Sequence, residues 1–155
     1  MDALSNRDIG LALCKYSSTF LGVFSVDINP LPLIRSFPCC FVMNTMPHTE
    51  RRGGHWLAFY LTNSNSIEFF DSLGGSLSSY PLISSYFSHV PNISSNSVSL
   101  QAPDSAQCGD YCISFLYLRL VTSSFRAAIE IIKSYSKGYS RESFVRKLRL
   151  LNMNK

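Results

Sequence analysis

The segment CGDYCISFLYLRLV at positions 108–121 constrains the fold more than any other part of the sequence. Its apolar side chains fall on nearly every face of a helix instead of along a single stripe, and a helix of this kind is buried on all sides. Other elements must therefore surround it. The sequence predicts a domain that is built around a central helix beginning at Cys108.

Length and composition support one intracellular domain over residues 1–155. The chain is 46% hydrophobic and 15% charged, which excludes wholesale disorder. No run of about 18 apolar residues predicts a membrane span, and the N-terminal segment lacks the apolar stretch of a signal peptide. Five cysteines, an odd number, do not suggest a disulfide framework.

The remaining elements predict an α+β fold with a central, mostly antiparallel sheet. Ser5 and Asp8 form a capping-box pattern ahead of a short first helix. The proline-containing segment 20–38 and the Ser/Asn-rich segment 88–99 are predicted to be irregular. Strands are predicted over 40–44, 55–62, 67–71 and 97–101, with a hairpin turn at 63–66, and further helices over 80–88, 125–135 and 140–151.

Cys108 is a candidate nucleophile because it opens the central helix. The positive end of the helix dipole favours a thiolate there, and unpaired backbone N–H groups can hold an oxyanion. Gly109 lacks a Cβ and would let a substrate backbone come close. The alternative is that Cys108 is an inert core cysteine, which is the commonest fate of a free cysteine.

A thiolate nucleophile needs a base and a group that orients the base. His55 follows two glycines at the start of a predicted strand, and Asp71 ends the partner strand. The two side chains share a face of the hairpin if paired residue numbers sum to 128, and they point to opposite faces if the sum is 129. The hypothesis therefore requires an odd loop or a bulge around 63–66. Taken alone, Asp71 is more typical of an ordinary turn or hairpin-end carboxylate.

A second chemical interpretation is a zinc site formed by His48, His55, Cys39 and Cys40. Their spacing fits no common pattern of zinc ligands, and we predict no metal.

The chain resembles the adenovirus-type cysteine proteases, which belong to the superfamily of ubiquitin-like-protein proteases. The motifs that carry the resemblance occur in the family's order across most of residues 20–118. They are FLG (20–22), NT (44–45), GGHWLAF (53–59), FFD (69–71) and QAPDSAQCGDYC (101–112).

The resemblance implies a papain-like fold and a thiol endopeptidase with Cys108 as nucleophile, His55 as base, Asp71 as orienting acid and Gln101 as oxyanion donor. Asp71 departs from the adenoviral pattern, which usually has Glu, and agrees with the wider superfamily. Gly54, Trp56 and Gly109 are implied to contact substrate. The implied substrates are viral or mobile-element precursor proteins cut near glycine, in the host nucleus or the virion, by a monomer.

No cofactor is expected to be required, although the resemblance implies stimulation by DNA or by a small viral peptide. The adenoviral enzymes link that peptide by a disulfide to a cysteine ahead of the oxyanion glutamine, whereas residues 41–107 here contain no cysteine. Two alternative functions stay open. One is an isopeptidase that removes ubiquitin or ubiquitin-like tails, and the other is a catalytically inactive virion or nucleic-acid-binding protein.

The basic C-terminus predicts a DNA contact. Residues 126–155 carry eight basic and two acidic side chains, a net charge of +6, while the whole chain carries +4. Such an excess suggests an anionic partner. Helix 140–151 would project Arg141, Arg146, Lys147 and Arg149 from its outer side. The alternative is that these side chains only keep a terminal helix soluble.

Overall fold

A five-stranded mixed sheet and five helices form the fold of residues 3–50, 53–122 and 124–154, which the computed structural model describes. The strands follow one another across the sheet in sequence order. They are β1 (Phe20–Ser25), β2 (Cys39–Asn44), β3 (Trp56–Asn63), β4 (Ser66–Phe70) and β5 (Asn92–Ser95). The helices are α1 (Asn6–Leu13), α2 (Pro81–Tyr86), α3 (Cys108–Val121), α4 (Phe125–Lys133) and α5 (Tyr139–Met153).

The predicted α+β class is confirmed, but the sheet is mixed and not mostly antiparallel. β2, β3 and β4 pair antiparallel, while β1 pairs parallel to β2 and β5 parallel to β4. Both edge strands lie in segments for which we predicted irregular structure, 20–38 and 88–99. The strand predicted over 97–101 is absent from the described structure, in which β5 ends at Ser95 and Ser97 takes a positive φ of 55°.

The helices agree closely with the sequence. Ser5 and Asp8 form the predicted capping box at the start of α1. The central helix α3 has the predicted bounds, and its residues from Cys108 to Leu116 are all buried. None of the described helices is long and apolar enough to cross a bilayer.

The alternation of side chains along the strands divides the apolar core between the two faces of the sheet. One face packs against α1, α3, α4 and α5. The other face lies under α2 and carries a stack of rings, in which Phe41 and Phe59 have centroids 5.0 Å apart and Phe59 and Phe87 5.3 Å apart. Helix α3 is thus enclosed between the sheet and the other helices, as its composition requires.

The β3–β4 hairpin has the register that brings residues 55 and 71 to one face. Ala58 pairs with Phe70 and Phe59 with Phe69, so the paired numbers sum to 128. The register shifts between Leu61 and Asn63, which supplies the predicted irregularity near the turn.

Candidate active site

Cys108 is the first residue of α3 and is only 7% exposed. The N–H groups of the first helical turn therefore surround a nearly buried thiol, where they are able to stabilise negative charge. Cys112, one turn later, is fully buried, and this burial raises the pKa of its thiol well above the ordinary value. Of the two cysteines, Cys108 has the environment of a nucleophile and Cys112 that of a core residue.

His55 lies between Asp71 and Cys108. Its Nε2 is 2.6 Å from Asp71 Oδ1, and an interaction with the Cys108 side chain also contributes to the raised pKa of the imidazole. Because Nε2 is bound to Asp71, Nδ1 is the ring nitrogen available to a further partner. The backbone N–H of His55 donates to Thr45 Oγ1 at 2.9 Å, which fixes the residue at the junction of β2 and β3.

The neighbours of His55 favour its protonated form. Burial lowers the pKa of the imidazole, but hydrogen bonds and charge interactions with Asp71 and Cys108 outweigh it and raise the pKa to about 9. The protonated imidazolium is therefore the favoured state of His55 near neutral pH. In this state His55 is able to act as a proton donor.

The carboxylate of Asp71 is fully buried and held by four donors. Oδ1 accepts from His55 Nε2 and from the Leu73 N–H at 2.8 Å, and Oδ2 accepts from the Tyr80 hydroxyl at 2.7 Å and the Gly75 N–H at 3.1 Å. Burial raises the pKa of Asp71, but these hydrogen bonds and the His55 charge overcome it and lower the pKa below its usual range. Asp71 stays ionised and fixes the imidazole.

Gln101 is 2% exposed, and its amide is held at both ends. The Ser72 hydroxyl donates to Oε1 at 2.6 Å, and Nε2 donates to the Ser105 carbonyl. The Leu100 and Gln101 N–H groups both donate to the Ser72 carbonyl. Ser72, the residue after Asp71, therefore orients Gln101 through both its side chain and its backbone carbonyl. An amide nitrogen carries two protons, so one remains for a ligand.

A cleft of about 510 Å³ opens over Cys108. The segment Ala3–Asn6, the ends of β1 and β2, and residues between 46 and 56 line it. The indole N–H of Trp56 donates to the Leu4 carbonyl at 3.0 Å, which ties the N-terminal segment to the cleft wall. The cleft leaves open space beside the Cys108 side chain.

The three residues predicted to contact substrate occupy different positions. Gly54 and Trp56 line the cleft, and a Cβ on Gly54, whose φ is +89°, would overlap Asn44. Gly54 is therefore also required by the packing of its own neighbours. A Cβ on Gly109 would lie 3.0 Å from Leu4 Cβ, so the close approach predicted for a substrate backbone is made here by the chain's own N-terminal segment.

The four basic residues predicted to contact DNA do not form an exposed stripe. Arg141 is buried and donates to the carbonyls of Tyr135, Leu100 and Lys133. Arg149 donates to Asp110 at 2.6 Å, and Arg146 is partly buried. Only Lys147 is exposed. The predicted stripe was wrong in its geometry, because Arg141 and Arg149 bind groups of the protein itself and do not project into solvent.

The alternative zinc ligands are also kept apart. Cys39 and Cys40 face opposite sides of the sheet, and His48 pairs with Asp27. Among the described residues no three His, Cys, Asp or Glu side chains cluster as a metal site would require.

The sequence did not indicate the residues that hold the site in place. Ser72 orients Gln101, and Tyr80 donates to Asp71. Asn96 clamps the backbone of Asp71, since its Oδ1 accepts from the Asp71 N–H at 3.0 Å and its Nδ2 donates to the Asp71 carbonyl. Neither Ser nor Asn in a Ser/Asn-rich chain stands out by type. Only the position of Ser72 directly after Asp71 could have drawn attention to it.

No family model matches the sequence, and neither does any curated protein. Among solved structures, the chain is similar to the central domain of the uncharacterized Lpg1148 protein from Legionella pneumophila. The two superpose with a TM-score of 0.54 at 12% identity, and the match covers 100% of each chain. A likeness at this level of identity shows the fold alone, an α+β arrangement with a mixed sheet.

Proposed function

We propose that the protein is a cysteine endopeptidase of papain-like fold, in the adenovirus-type group that its motifs resemble. The observation that carries the proposal is the position of His55, which bonds Asp71 through Nε2 and also contacts Cys108. Nucleophile, base and orienting acid in this relation are the arrangement that activates a thiol. The cleft over Cys108 provides the space for a peptide.

The chemistry follows from these groups. The Cys108 thiolate attacks the scissile carbonyl, so a carbon–sulfur bond forms and the carbonyl electrons move to oxygen. The Cys108 N–H and the second amide proton of Gln101 are the donors that the resemblance implies for this oxyanion. His55 gives its proton to the leaving amine as the carbon–nitrogen bond breaks. Water, deprotonated by His55, then attacks the thioester, releasing the acid and regenerating the thiol.

The proposed substrates are viral or mobile-element precursor proteins cut near glycine. A second candidate, an isopeptidase acting on ubiquitin or ubiquitin-like tails, is favoured by one residue: Asp71, where the adenoviral enzymes usually have Glu. The two candidates share the same chemistry and differ only in what occupies the cleft. Stimulation by DNA or a viral peptide belongs to the first candidate and remains part of the proposal.

A cleavage panel tests both candidates. Glycine-containing precursor peptides and ubiquitin-like fusions are incubated with the wild type, with Cys108→Ala, and with Cys14→Ala as a control that removes an exposed thiol. We expect cleavage of precursor peptides by the wild type and by Cys14→Ala, and none by Cys108→Ala. Preferred cleavage of the fusions would select the isopeptidase. Full turnover by folded Cys108→Ala would refute both.

A further inference from the structure

Both groups that would act on the substrate carbonyl lie on one stretch of chain, Leu100–Asp110. Gln101 stands near its start, and Cys108 opens α3 near its end. Between them the chain makes a turn, in which the Ser105 N–H donates to the Ala102 carbonyl, and no helix or strand. The position of this oxyanion segment must therefore be fixed by contacts with other elements.

Helix α5 supplies such contacts at both ends of the oxyanion segment. The Arg141 guanidinium donates to the Leu100 carbonyl at 3.0 Å, next to Gln101. At the other end, Arg149 Nε donates to Asp110 Oδ1 at 2.6 Å, two residues beyond Cys108. The side chains of this second pair are 17% and 6% exposed, so solvent weakens the attraction little.

Glu142 and Arg146 hold the middle of the same segment. Glu142 Oε1 accepts from the Ala102 N–H at 3.3 Å. The Gln107 amide lies between Glu142 and Arg146, and these neighbours fix its orientation. Its nitrogen donates to Glu142 Oε2 at 2.8 Å, and its oxygen accepts from Arg146 Nε at 3.0 Å. Gln107 directly precedes Cys108, so this contact acts one residue from the thiol.

The spacing of the four side chains explains why they act together. At 3.6 residues per turn, positions 141, 142, 146 and 149 fall within an arc of about 140° on α5. Lys147 lies about 100° beyond Arg146 on the same scale, and it is exposed. One face of α5 therefore meets the oxyanion segment at four points, Leu100, Ala102, Gln107 and Asp110.

We propose that this face of α5 positions the oxyanion segment, with Glu142 and Arg146 as positioning residues for Gln101 and the Cys108 N–H. The inference rests on the proposed function. It also gives a use to three of the four basic residues that the sequence suggested for DNA. A displacement of about 1 Å at a reacting group lowers the reaction rate by about 10²-fold, so loss of the contacts with α5 is expected to lower kcat.

The test compares Glu142→Ala with Glu142→Gln, and with Glu130→Ala as a matched control on the exposed face of α4. We expect Glu142→Ala to lower kcat roughly tenfold to hundredfold, with KM changed less than about twofold, because the loss is in transition-state geometry. Glu142→Gln keeps an acceptor for the Ala102 N–H and should recover much of the rate. Glu130→Ala should match the wild type.

A second readout needs no peptide substrate. The rate of Cys108 alkylation by iodoacetamide at pH 6.5 reports the thiolate directly, and Tm reports folding. We expect Glu142→Ala to slow alkylation several-fold at a temperature where it is fully folded. Wild-type kcat and alkylation in folded Glu142→Ala would overturn the inference and leave the proposed function standing. Slowed alkylation in the variant, with no peptide turnover by the wild type, would support the inference and count against the proposed function.

Discussion

At the scale of single residues, the site depends on keeping a proton on His55. Burial alone would remove that proton, since a charged imidazole loses its hydration inside the protein. Asp71 and Cys108 together reverse the effect and raise the pKa to about 9. Under the proposed mechanism, this imidazolium is the group that protonates the leaving amine across the neutral range.

This pKa predicts the alkaline limb of the pH profile. We expect kcat/KM to fall above about pH 9, because loss of the His55 proton removes the general acid. Asp71→Asn should move that limb to lower pH, since a neutral amide no longer stabilises the imidazolium. Peptide hydrolysis from pH 6 to 10 checks both, and an unchanged limb in Asp71→Asn would contradict the role of Asp71.

The same shift predicts how stability depends on pH. A folded-state pKa raised from 6.5 to about 9 means that the folded protein holds the proton more tightly. The stabilisation is complete below about pH 6.5 and is lost as the pH rises through about 9. Urea unfolding should show a stability gap between the wild type and His55→Gln that narrows from pH 6 to 10. The exposed His89→Gln is the control, and a gap that does not change with pH would contradict the pKa shift.

At this scale the sequence identified the four candidate residues and gave no indication of the residues that hold them in place. Cys108, His55, Asp71 and Gln101 lie in motifs that are recognisable by type and order. Tyr80 and Asn96 meet Asp71 only after the chain has folded, across nine and twenty-five positions. No local sequence pattern predicts such contacts, because nothing in the neighbouring sequence distinguishes Tyr80 and Asn96 from the other Tyr and Asn residues of the chain.

At the scale of elements, the loop after β4 determines the position of the Asp71 carboxylate. A Cβ on Gly75 would lie 2.5 Å from Asp71 Oδ2, so only glycine leaves room for the carboxylate. Gly74, which directly precedes Gly75, has a φ of +81° and packs against the backbone of Ser99. The loop therefore carries Asp71 and also contacts the segment that leads to Gln101.

Gly75→Ala should therefore cost about 1–3 kcal/mol of stability and reduce kcat by displacing Asp71. Gly10→Ala is the matched control, because Gly10 lies inside α1 with open space around its Cβ position. It should stabilise the protein by about 0.5–1 kcal/mol and leave kcat unchanged. Urea unfolding and peptide turnover measure both effects, and equal stability of the two variants would contradict the tight contact at Gly75.

The two strands that the sequence missed share an edge position in the sheet. β1 and β5 lie at the edges of the sheet, and each pairs with one neighbour only. β5 is exposed over most of its length and carries Asn and Ser, so it lacks the alternation by which strands are recognised. The inner strands β2, β3 and β4 and the helix α3 are strongly apolar and were predicted with nearly correct bounds.

At the scale of the whole molecule, the positive charge of the C-terminal thirty residues is divided between two uses. Arg141, Arg146 and Arg149 bind groups inside the protein. Among the described residues of this segment, the basic side chains that remain exposed and are able to meet phosphates are Arg126, Lys133, Lys137 and Lys147. The predicted DNA contact therefore stays a prediction, moved from the arginines of α5 to these four side chains.

Duplex DNA affinity at two salt concentrations tests that prediction. Simultaneous replacement of Arg126, Lys133, Lys137 and Lys147 by Ala should weaken binding, and should reduce the slope of log K against log salt by about 0.9 for each phosphate that the variant no longer neutralises. Arg35→Ala, which removes an exposed charge outside the C-terminal segment, is the control. An unchanged slope, or no binding by the wild type at low salt, would remove DNA from the mechanism.

The proposal that Cys108 is an activated thiol is tested most directly by timed iodoacetamide labelling at pH 6.5, with mass mapping of all five cysteines. An ordinary cysteine thiol is only about 1% thiolate at this pH, whereas a thiol paired with an imidazolium is largely ionised. We expect Cys108 to label at least about tenfold faster than the exposed Cys14, and His55→Ala to abolish that difference. Labelling of Cys108 no faster than Cys14, or a rate that does not depend on His55, would contradict a catalytic thiol at the start of α3.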